Sequence, residues 1–337
     1  MKLTHYVGID VSKATFSFCL LHNKTVVLEA EMENTDQGVL EFIQVIGQYV
    51  DLQFEQLLFC MEHTGLYSMI LLNQLHATGA QVSAENATRI KASLGFARGK
   101  SDKMDAKRIA EYAERFQDRL PIWQPKRKSI EQLQHLTSLR DRLIKMKYIA
   151  LVPLQEVQGF IDEEEIEMIE KPSREIIELI DAKMDQIEEK IKKIILADQQ
   201  LRQMVKLVKS IPGIGPVIST EIIIRTNGFQ DFKDSKKLAC HVGVAPFEHS
   251  SGTSYRGRTK VSHKAHKRLK TLLHLGAMSV ISGNNEFSEY YRRKVAQGKN
   301  KTSVINAIRN KLIHRAFALV KNNTMYDKNY QYSFVKP

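Results

Sequence analysis

The sequence is poor in the residues that build disulfide frameworks, cysteine-rich metal sites and membrane spans. It has three cysteines among 337 residues, Cys19, Cys60 and Cys240, and they lie far apart. This argues against a disulfide framework or a zinc knuckle and fits a reducing cytosol. No apolar run is long enough to cross a bilayer, and the start MKLTHYVGIDVSK lacks the apolar core of a signal peptide. We therefore expect a cytoplasmic protein without a membrane partner.

Acidic residues are scarce in the C-terminal third, where the positive charge is concentrated. The whole chain has a formal net charge of +12. Between residues 251 and 320, 15 lysines and arginines accompany only two acids, Glu286 and Glu289, so this segment alone carries +13. A basic region on a near-neutral remainder predicts binding of a polyanion, usually nucleic acid. An anionic membrane surface is the weaker alternative, because no clean amphipathic anchor accompanies the charge.

Hydrophobic periodicity predicts a mixed α/β region at the N-terminus. Three consecutive strands are expected at HYVGID, ATFSFCLL and TVVLEA. A helix then precedes the strand QLLFCME, and a second helix precedes the short strand AQVSAE. Three adjacent strands followed by alternating helices and strands indicate a mixed sheet rather than a doubly wound one. PIWQP, residues 121–125, is typical of a domain boundary.

Long amphipathic helices are predicted next. Leucines from Leu133 to Leu143 mark the first helix. The acidic stretch QGFIDEEEIEMIEKP is predicted to be a break between this helix and the next. A second helix is expected to begin near Ser173, with apolar residues every three or four positions from Ile177 to Ile194, the spacing of a heptad seam. Such a seam packs either within one subunit or between two, and the sequence does not separate these alternatives.

Carboxylates stand at the ends of predicted elements in the N-terminal region. Asp10 ends the first strand, Glu62 ends the fourth, and Asp102 and Asp105 share one face of a helix that starts in KSDKMDAKRIAEYA. Acids in a first turn also simply compensate the helix dipole. Four acids gathered in one pocket repel each other unless cations lie between them, and carboxylate oxygens suit Mg²⁺ or Mn²⁺. This arrangement predicts a two-metal centre for phosphodiester cleavage.

Two motifs in the basic C-terminal region indicate contacts with phosphate. IPGIGP, which contains Gly213 and Gly215, lies between apolar helix ends and is typical of a helix-hairpin-helix turn whose N–H groups grip phosphate; a plain tight turn is the alternative. Ser250 and Ser251 precede Gly252 in a predicted loop with cations close behind, where a hydroxyl could attack phosphate. The alternative is a flexible basic loop that only touches backbone. The basic residues predicted to bind nucleic acid are Arg256, Arg258, Lys260, Lys264, Lys267 and Arg268.

The motifs occur in one order along nearly the whole chain: YVGIDVSK, MEHTG, KSDKMDAKRIAEY, IPGIGPVIST, GVAPFEHSSG and GRTKVSHKAHKRLKTLL. In this order they resemble the insertion-sequence 110 family of transposases. The resemblance implies an RNase H-like domain of the RuvC type at residues 1–125 and a coiled-coil connector at 126–205. It also implies a mainly helical transposase domain with a helix-hairpin-helix-like turn at 206–337. In the basic loop, HVGVAP and TKVSHKAHKR differ from the sequences that are commoner in the family.

The resemblance also implies residue roles and partners. Asp10, Glu62, Asp102 and Asp105 match the family's D-E-D-D tetrad, and Ser251 matches its nucleophilic serine. The family implies a recombinase guided by a bridge RNA that pairs with donor and target DNA. Because recombination must hold two duplexes together, a homodimer or homotetramer is expected.

Three alternatives remain open from the sequence. The first is a RuvC-type junction nuclease in which the serine has no role. The second is a tyrosine recombinase using Tyr290 or Tyr291, although that class does not need the tetrad. The third is a non-enzymatic architectural binder built on the hairpin and the basic segment.

Overall fold

The protein divides into two compact units, Met1–Pro125 and Lys126–Pro337. The computed structural model describes residues 3–49, 56–63, 65–93, 101–157, 159–232, 234–251, 255–261 and 265–327, with the backbone alone for 248–251, 255, 256 and 258–260. Each unit has its own hydrophobic core. No helix in these ranges is long and apolar enough to cross a membrane.

The first unit is built on a five-stranded mixed sheet, which confirms the predicted fold class. The strands are β1 (His5–Val11), β2 (Thr15–His22), β3 (Thr25–Glu33), β4 (Leu57–Glu62) and β5 (Gln81–Glu85). Their order across the sheet is β3-β2-β1-β4-β5. The first three strands pair antiparallel, whereas β1, β4 and β5 run parallel. Parallel pairing brings the carboxyl ends of β1, β4 and β5 to one edge.

Helices cover both faces of this sheet. They are α1 (Asp36–Tyr49), α2 (Met69–Ala77), α3 (Ala87–Ser93) and α4 (Asp102–Phe116). Val7 and Ile9 of β1 point to the core shared with α1 and α2, whereas Tyr6 points to the core shared with α4. Because side chains alternate along a strand, each strand supplies residues to both cores. The buried residues of each strand therefore show which of its side chains lie on the face that α4 covers.

The second unit is mainly helical, also as predicted. Its elements are α5 (Lys128–Glu156), α6 (Glu163–Ala197), α7 (Gln199–Lys209), α8 (Pro216–Arg225), α9 (Ser235–Val242), β6 (Pro246–Ser251), β7 (Tyr255–Val261), α10 (Lys267–Ile281), α11 (Glu286–Ala296) and α12 (Lys301–Asn322). The helices from α7 onward enclose one apolar core.

The α5–α6 hairpin differs from the sequence prediction at one end. Helix α6 begins at Glu163 rather than near Ser173, and Pro172 lies inside it. Acids in the first turn favour a helix start there. Pro172 removes one hydrogen bond and crowds the preceding turn, yet the helix continues through it. The predicted acidic break is therefore mostly helix.

The heptad seam of α6 packs against α5 of the same chain. Ile180 and Ile187 are buried, and Lys147 of α5 donates to Asp181 of α6 at 2.6 Å. The centre of the seam is therefore buried within one subunit, whereas the other four seam residues stay partly exposed: Ile177, Met184, Ile191 and Ile194.

Candidate active site

Asp10 and Glu62 lie side by side at the carboxyl edge of the sheet. Strands β1 and β4 are parallel, with Gly8 opposite Cys60 and Ile9 opposite Met61. One step further along both strands places Asp10 next to Glu62. Tyr6 and Cys60 belong to the core beneath α4, and alternation puts Asp10 and Glu62 on that same face. Both side chains are partly exposed.

Helix α4 begins over the same edge. Its N-cap is Ser101, whose side chain accepts a hydrogen bond from the Met104 amide, so Asp102 and Asp105 lie in the first turn. The helix passes very close to β1: a Cβ added to Gly8 would lie 2.2 Å from the Ala106 carbonyl oxygen. Only glycine permits this approach. Asp10 is two residues beyond Gly8 on the same strand face.

The direction of α4 brings its N-terminus toward Asp10. Tyr6, near the start of β1, senses the charge of Glu114 near the end of α4, and burial and that charge raise the pKa of the Tyr6 hydroxyl. Gly8 lies against Ala106 at the other end of the helix. The helix therefore runs antiparallel to β1, and its first turn lies toward the strand end that carries Asp10.

The four carboxylates do not form a ready-made metal cage. Arg108 donates to Asp105 at 2.8 Å, in an ion pair whose two side chains are 15% and 31% exposed respectively. Within the described ranges, no three His, Cys, Asp or Glu side chains are grouped so that they could hold a metal ion. The donor chemistry suits Mg²⁺ or Mn²⁺, but Asp105 is held by an arginine. The pair uses Asp105 Oδ1, and a metal-ligating carboxylate commonly accepts a hydrogen bond from such a partner.

A further carboxylate at this edge was missed by the sequence reasoning. Glu85 ends β5 in register with Glu62 and is only 5% exposed. Its carboxylate accepts from the Asn86 amide at 2.7 Å, pairs with Arg89 at 3.3 Å and meets the Tyr112 hydroxyl at 3.4 Å. Its signal was the one used for Glu62, an acid at the end of an apolar strand.

The Glu85 carboxylate contributes to raised pKa values in two neighbouring groups. Burial and then the Glu85 carboxylate raise the pKa of the Cys60 thiol to about 12. The same two causes raise the pKa of the Tyr112 hydroxyl. The Tyr112 hydroxyl, which stays protonated at neutral pH, thus links Glu85 at the end of β5 to α4.

The serine motif lies on a β-hairpin in the second unit rather than in a loop. Ser251 is the last residue of β6 and pairs with Tyr255 of β7, and Ser250 pairs with Arg256. The prediction that Ser250 and Ser251 lie in a loop was wrong, because both residues pair with β7, whereas Gly252 lies outside the described residues. Arg258 and Lys260 continue β7. Lys264 lies outside the described residues.

Helix α10 follows this hairpin and begins with Lys267. His266 caps it and accepts from the Leu269 amide. Burial, then the charge of Arg225 and then His241, lower the pKa of His266 to about 4. His266 is therefore neutral at physiological pH, as an acceptor must be, whereas the exposed Lys267 adds positive charge to the surface.

Arg268 is held by carboxylates of its own unit. It pairs with Asp141 and, at 3.1 Å, with Glu221, and donates to the Thr137 carbonyl oxygen. Glu221 is 1% exposed and also pairs with Arg225 at 2.8 Å. A buried carboxylate needs such cations. The placement of Arg268 therefore favours a structural role over the predicted contact with nucleic acid.

The two glycines of the predicted hairpin have different surroundings. Gly213 has a φ of +79°, and a Cβ there would lie 2.5 Å from the Gly276 carbonyl oxygen in α10. Gly215 is the N-cap of α8, and a Cβ there would meet nothing within 4 Å. The Cα of Gly213 therefore packs closely against α10, whereas the space beside the Cα of Gly215 is open.

A groove with a volume of about 1170 Å³ opens beside this turn, and Lys206 and Lys209 of α7 and Pro216 of α8 line part of it. The lysines and the amino end of α8 face this one cavity, and both favour phosphate. The lining also includes three acids of α6: Asp185, Glu188 and Glu189.

Comparison with known proteins identifies the class of this chain. The Transposase IS116/IS110/IS902 family matches residues 205–292, and a DEDD transposase family of IS110 elements matches residues 7–152. The matches together span more than two thirds of the chain. The chain belongs to the IS110 family of transposases, enzymes that cut and rejoin DNA.

Relatives of this chain include two DNA-inverting proteins. It is similar to the pilin gene-inverting proteins of Moraxella bovis and Moraxella lacunata, each 28% identical over 331 residues, which cover 96% of this chain and 98% of the relative. It is also similar to the transposase of insertion sequence element IS1111A from Coxiella burnetii, 27% identical over 212 residues, which cover 54% of this chain and 55% of the relative.

Proposed function

We propose that this transposase cuts DNA at a metal centre held by Asp10, Glu62, Asp102 and Asp105, and rejoins it through a serine–DNA intermediate at Ser251. The observation that carries the proposal is the adjacency of Asp10 and Glu62 on parallel strands, with the first turn of α4 against the same face. Bound there, Mg²⁺ or Mn²⁺ would supply Lewis-acid stabilisation of the scissile phosphate and the leaving oxygen.

The attack on phosphorus and the binding of phosphate are assigned to residues of the chain. The Ser251 oxygen would bond to phosphorus as a bridging P–O bond breaks. The serine proton passes to solvent, and the displaced sugar oxygen takes up a proton. Arg256 and Arg258 share the short β7 strand with the register partner of Ser251, a placement that supports a role in binding phosphate. A serine hydroxyl is a weak nucleophile unless it is activated.

Nucleic acid contacts are proposed for the turn at Gly215, the groove beside Lys206 and Lys209, and the basic residues Arg256, Arg258, Lys260, Lys264 and Lys267. Backbone amides and lysines grip phosphate without reading bases. Target choice by a bridge RNA that pairs with donor and target DNA is compatible with this kind of contact. The test is recombination of defined donor and target DNA with and without RNA transcribed from the DNA that flanks the gene.

We also propose that the active form is a homodimer or homotetramer. The turn between α5 and α6 and its flanking helices carry exposed apolar side chains: Ile149 and Met168 are both 74% exposed and Phe160 is 86% exposed. These side chains lie toward the same end of the α5–α6 hairpin and are together called the hairpin-end residues; exposed apolar side chains that gather into a patch are typical of an interaction site.

Charges placed at the hairpin-end residues are expected to separate subunits. Ile149→Lys with Met168→Lys should lower the mass measured by sedimentation and leave the helical circular dichroism unchanged, because both positions are already exposed. Ile187→Lys is the matched contrast, since Ile187 is buried within the subunit and a buried charge should impair folding. A double variant with wild-type mass would show that the hairpin-end residues are not the contact.

Covalent attachment is the experiment that tests the proposed function. A reaction on end-labelled DNA, stopped in denaturant, is expected to yield a labelled protein band, with mass spectrometry placing the DNA on Ser251. Ser251→Ala should bind DNA like wild type but form no adduct, whereas Ser250→Ala should keep the adduct. A label on Ser250 or Tyr255 would reassign the nucleophile.

Two other outcomes would favour the alternatives. Strand cleavage without any adduct would favour a two-metal nuclease. Full function without the tetrad would favour an architectural binder.

A further inference from the structure

Arg309 of α12 carries a partly buried positive charge that no carboxylate of the described residues neutralises. Its Nη2 atom donates to Nδ1 of His274 in α10 at 2.6 Å, and its Nε atom is buried without a hydrogen-bond partner. Burial and then the charge of Arg309 lower the pKa of His274, so the imidazole is neutral. A shielded cation whose partner is a neutral group is costly to the fold.

Other partly exposed arginines of this unit have carboxylate partners. Arg268 pairs with the buried Glu221 at 3.1 Å, and Arg315, further along α12, pairs with Glu286 at 2.9 Å. These arginines are neutralised within the fold. Arg309 departs from this pattern, and a local rule that a protein breaks at one position is typical of a functional site.

The surface beside Arg309 is basic. Lys267, Lys270 and His274 follow each other along α10 at spacings of three and four, which places them on one side of that helix. Lys267 is exposed, and the other two are partly exposed. The two acids between residues 251 and 320 both lie on α11. This surface therefore attracts a polyanion, and Arg309 gives it a planar group whose donors match phosphate.

The Arg309–His274 pair lies close to the base of the β6–β7 hairpin. Asn306, one turn before Arg309 on α12, donates to the Val244 carbonyl oxygen at 2.8 Å. One residue separates Val244 from the start of β6, the strand that ends at Ser251. A nucleic-acid strand held at Arg309 would therefore pass the base of the hairpin that carries the proposed nucleophile.

We infer that Arg309 and His274 form a binding site for a backbone phosphate of nucleic acid, with Lys270 at its edge. The bond to His274 uses one of the five guanidinium N–H donors, and a phosphate neutralises the charge that the fold leaves without a counter-ion. Such a contact reads no bases. The inference rests on the proposed binding of nucleic acid by this unit, and it adds a contact on other helices than the turn at Gly215.

Binding of two nucleic-acid probes over a range of salt concentrations tests this site. The probes are a DNA duplex and an RNA duplex of the same arbitrary sequence, and the full chain is titrated into each while fluorescence anisotropy is recorded. Arg309→Gln is expected to weaken binding at least about ten-fold, because a hydrogen bond to a charged group is lost. The log–log slope of affinity against salt should become shallower by about 0.9 on duplex DNA, the contribution of one phosphate. The probe that shows the loss identifies whether DNA or RNA supplies the phosphate.

Arg315→Gln is the matched control. It removes the same charge from the same helix, but the Arg315 guanidinium is already paired with Glu286. Its affinity for both probes is expected to change less than about two-fold, with the salt slope of wild type, because exposed charges at a distance are screened. Equal losses in Arg309→Gln and Arg315→Gln would reveal an effect of net charge alone and overturn the site.

Thermal unfolding separates a binding site from a packing contact. Arg309→Gln is expected to melt at or above the wild-type temperature, because it removes a charge that the fold does not neutralise. A lower melting temperature with an unchanged salt slope would assign Arg309 to packing and refute the inference. Wild-type affinity of Arg309→Gln for both probes would remove this site and leave the contacts at the Gly215 turn standing. A wild-type chain whose affinity ignores salt would remove both.

Chemical protection of the wild-type chain gives an answer even if Arg309→Gln does not fold. Phenylglyoxal modifies accessible guanidinium groups, and mass spectrometry locates the modified arginines. Saturating DNA or RNA duplex is expected to protect the partly exposed Arg309 and to leave Arg315 as reactive as in the free protein. Equal modification of Arg309 with and without either duplex contradicts the site.

Discussion

Asp10→Asn is expected to lower the rate of DNA strand cleavage about a hundred- to a thousand-fold. Lewis-acid stabilisation by a bound metal contributes several kcal/mol to such a reaction, and each 1.4 kcal/mol is a factor of ten in rate. Asp10 lies beside Glu62 on the neighbouring parallel strand, so an amide at position 10 removes one negatively charged ligand from the proposed metal centre. The change is nearly isosteric, and Asp10 is partly exposed, so the fold should persist.

The measurement is single-turnover cleavage of labelled DNA with Mg²⁺, with Mn²⁺ and with EDTA. EDTA should silence the wild type as completely as Asp10→Asn does. Asp118→Asn is the matched control, because Asp118 is exposed and pairs only with the exposed Arg119 among the described ion pairs; its cleavage rate should equal that of wild type. A natively folded Asp10→Asn protein that cleaves normally would remove Asp10 from the site.

Gly213→Val is expected to destabilise the second unit by about 3–5 kcal/mol. Its φ of +79° is strained for a β-branched residue. Its Cβ would lie 2.4 Å from Val280 Cγ1 and 2.5 Å from the Gly276 carbonyl oxygen. Overpacking of a filled core adds to the strain. Urea unfolding followed by circular dichroism should show the loss as a lower midpoint.

Gly215→Val is the matched comparison in the same turn. Its φ is −84° and its Cβ position is open, so stability should change by no more than about 1 kcal/mol, the range for changes of an N-cap residue. Affinity for DNA should nevertheless fall, because the added side chain blocks close approach of phosphate to the turn. Gly215→Val with wild-type affinity would show that this turn does not grip phosphate. Equal stability of the two variants would contradict the core position of Gly213.

The strands of the first unit and the ends at which Asp10 and Glu62 stand were predictable from the sequence. Alternating and continuous apolar runs specify strands locally, and the helix predicted to start in KSDKMDAKRIAEYA begins at Asp102. The order of motifs also identified the family. The strands and helix starts follow from short-range patterns, and the family follows from the order of motifs along the chain.

Other features depended on residues that are distant in sequence. Gly213 packs on Gly276, a contact that the prediction of phosphate binding did not include. Arg268 was predicted to contact nucleic acid, yet it pairs with Glu221. In both cases the partner lies on another helix, and no local pattern identifies which helices will touch. The start of α6 was misplaced because Pro172 is a helix breaker by propensity, while its neighbours outweigh that preference.

The sequence by itself determined the class of this protein, the strand and helix types and the four candidate carboxylates. Only the tertiary structure decided that Asp10 and Glu62 are neighbours and that Glu85 lies at the same sheet edge. It also showed that Arg108 pairs with Asp105 away from most solvent, and that α5 packs against the α6 seam. The physical reason is that local patterns set which surfaces are apolar or charged. The pairing of those surfaces depends on the packing of the whole chain, which decides whether a given charge is buried, partnered or free to act.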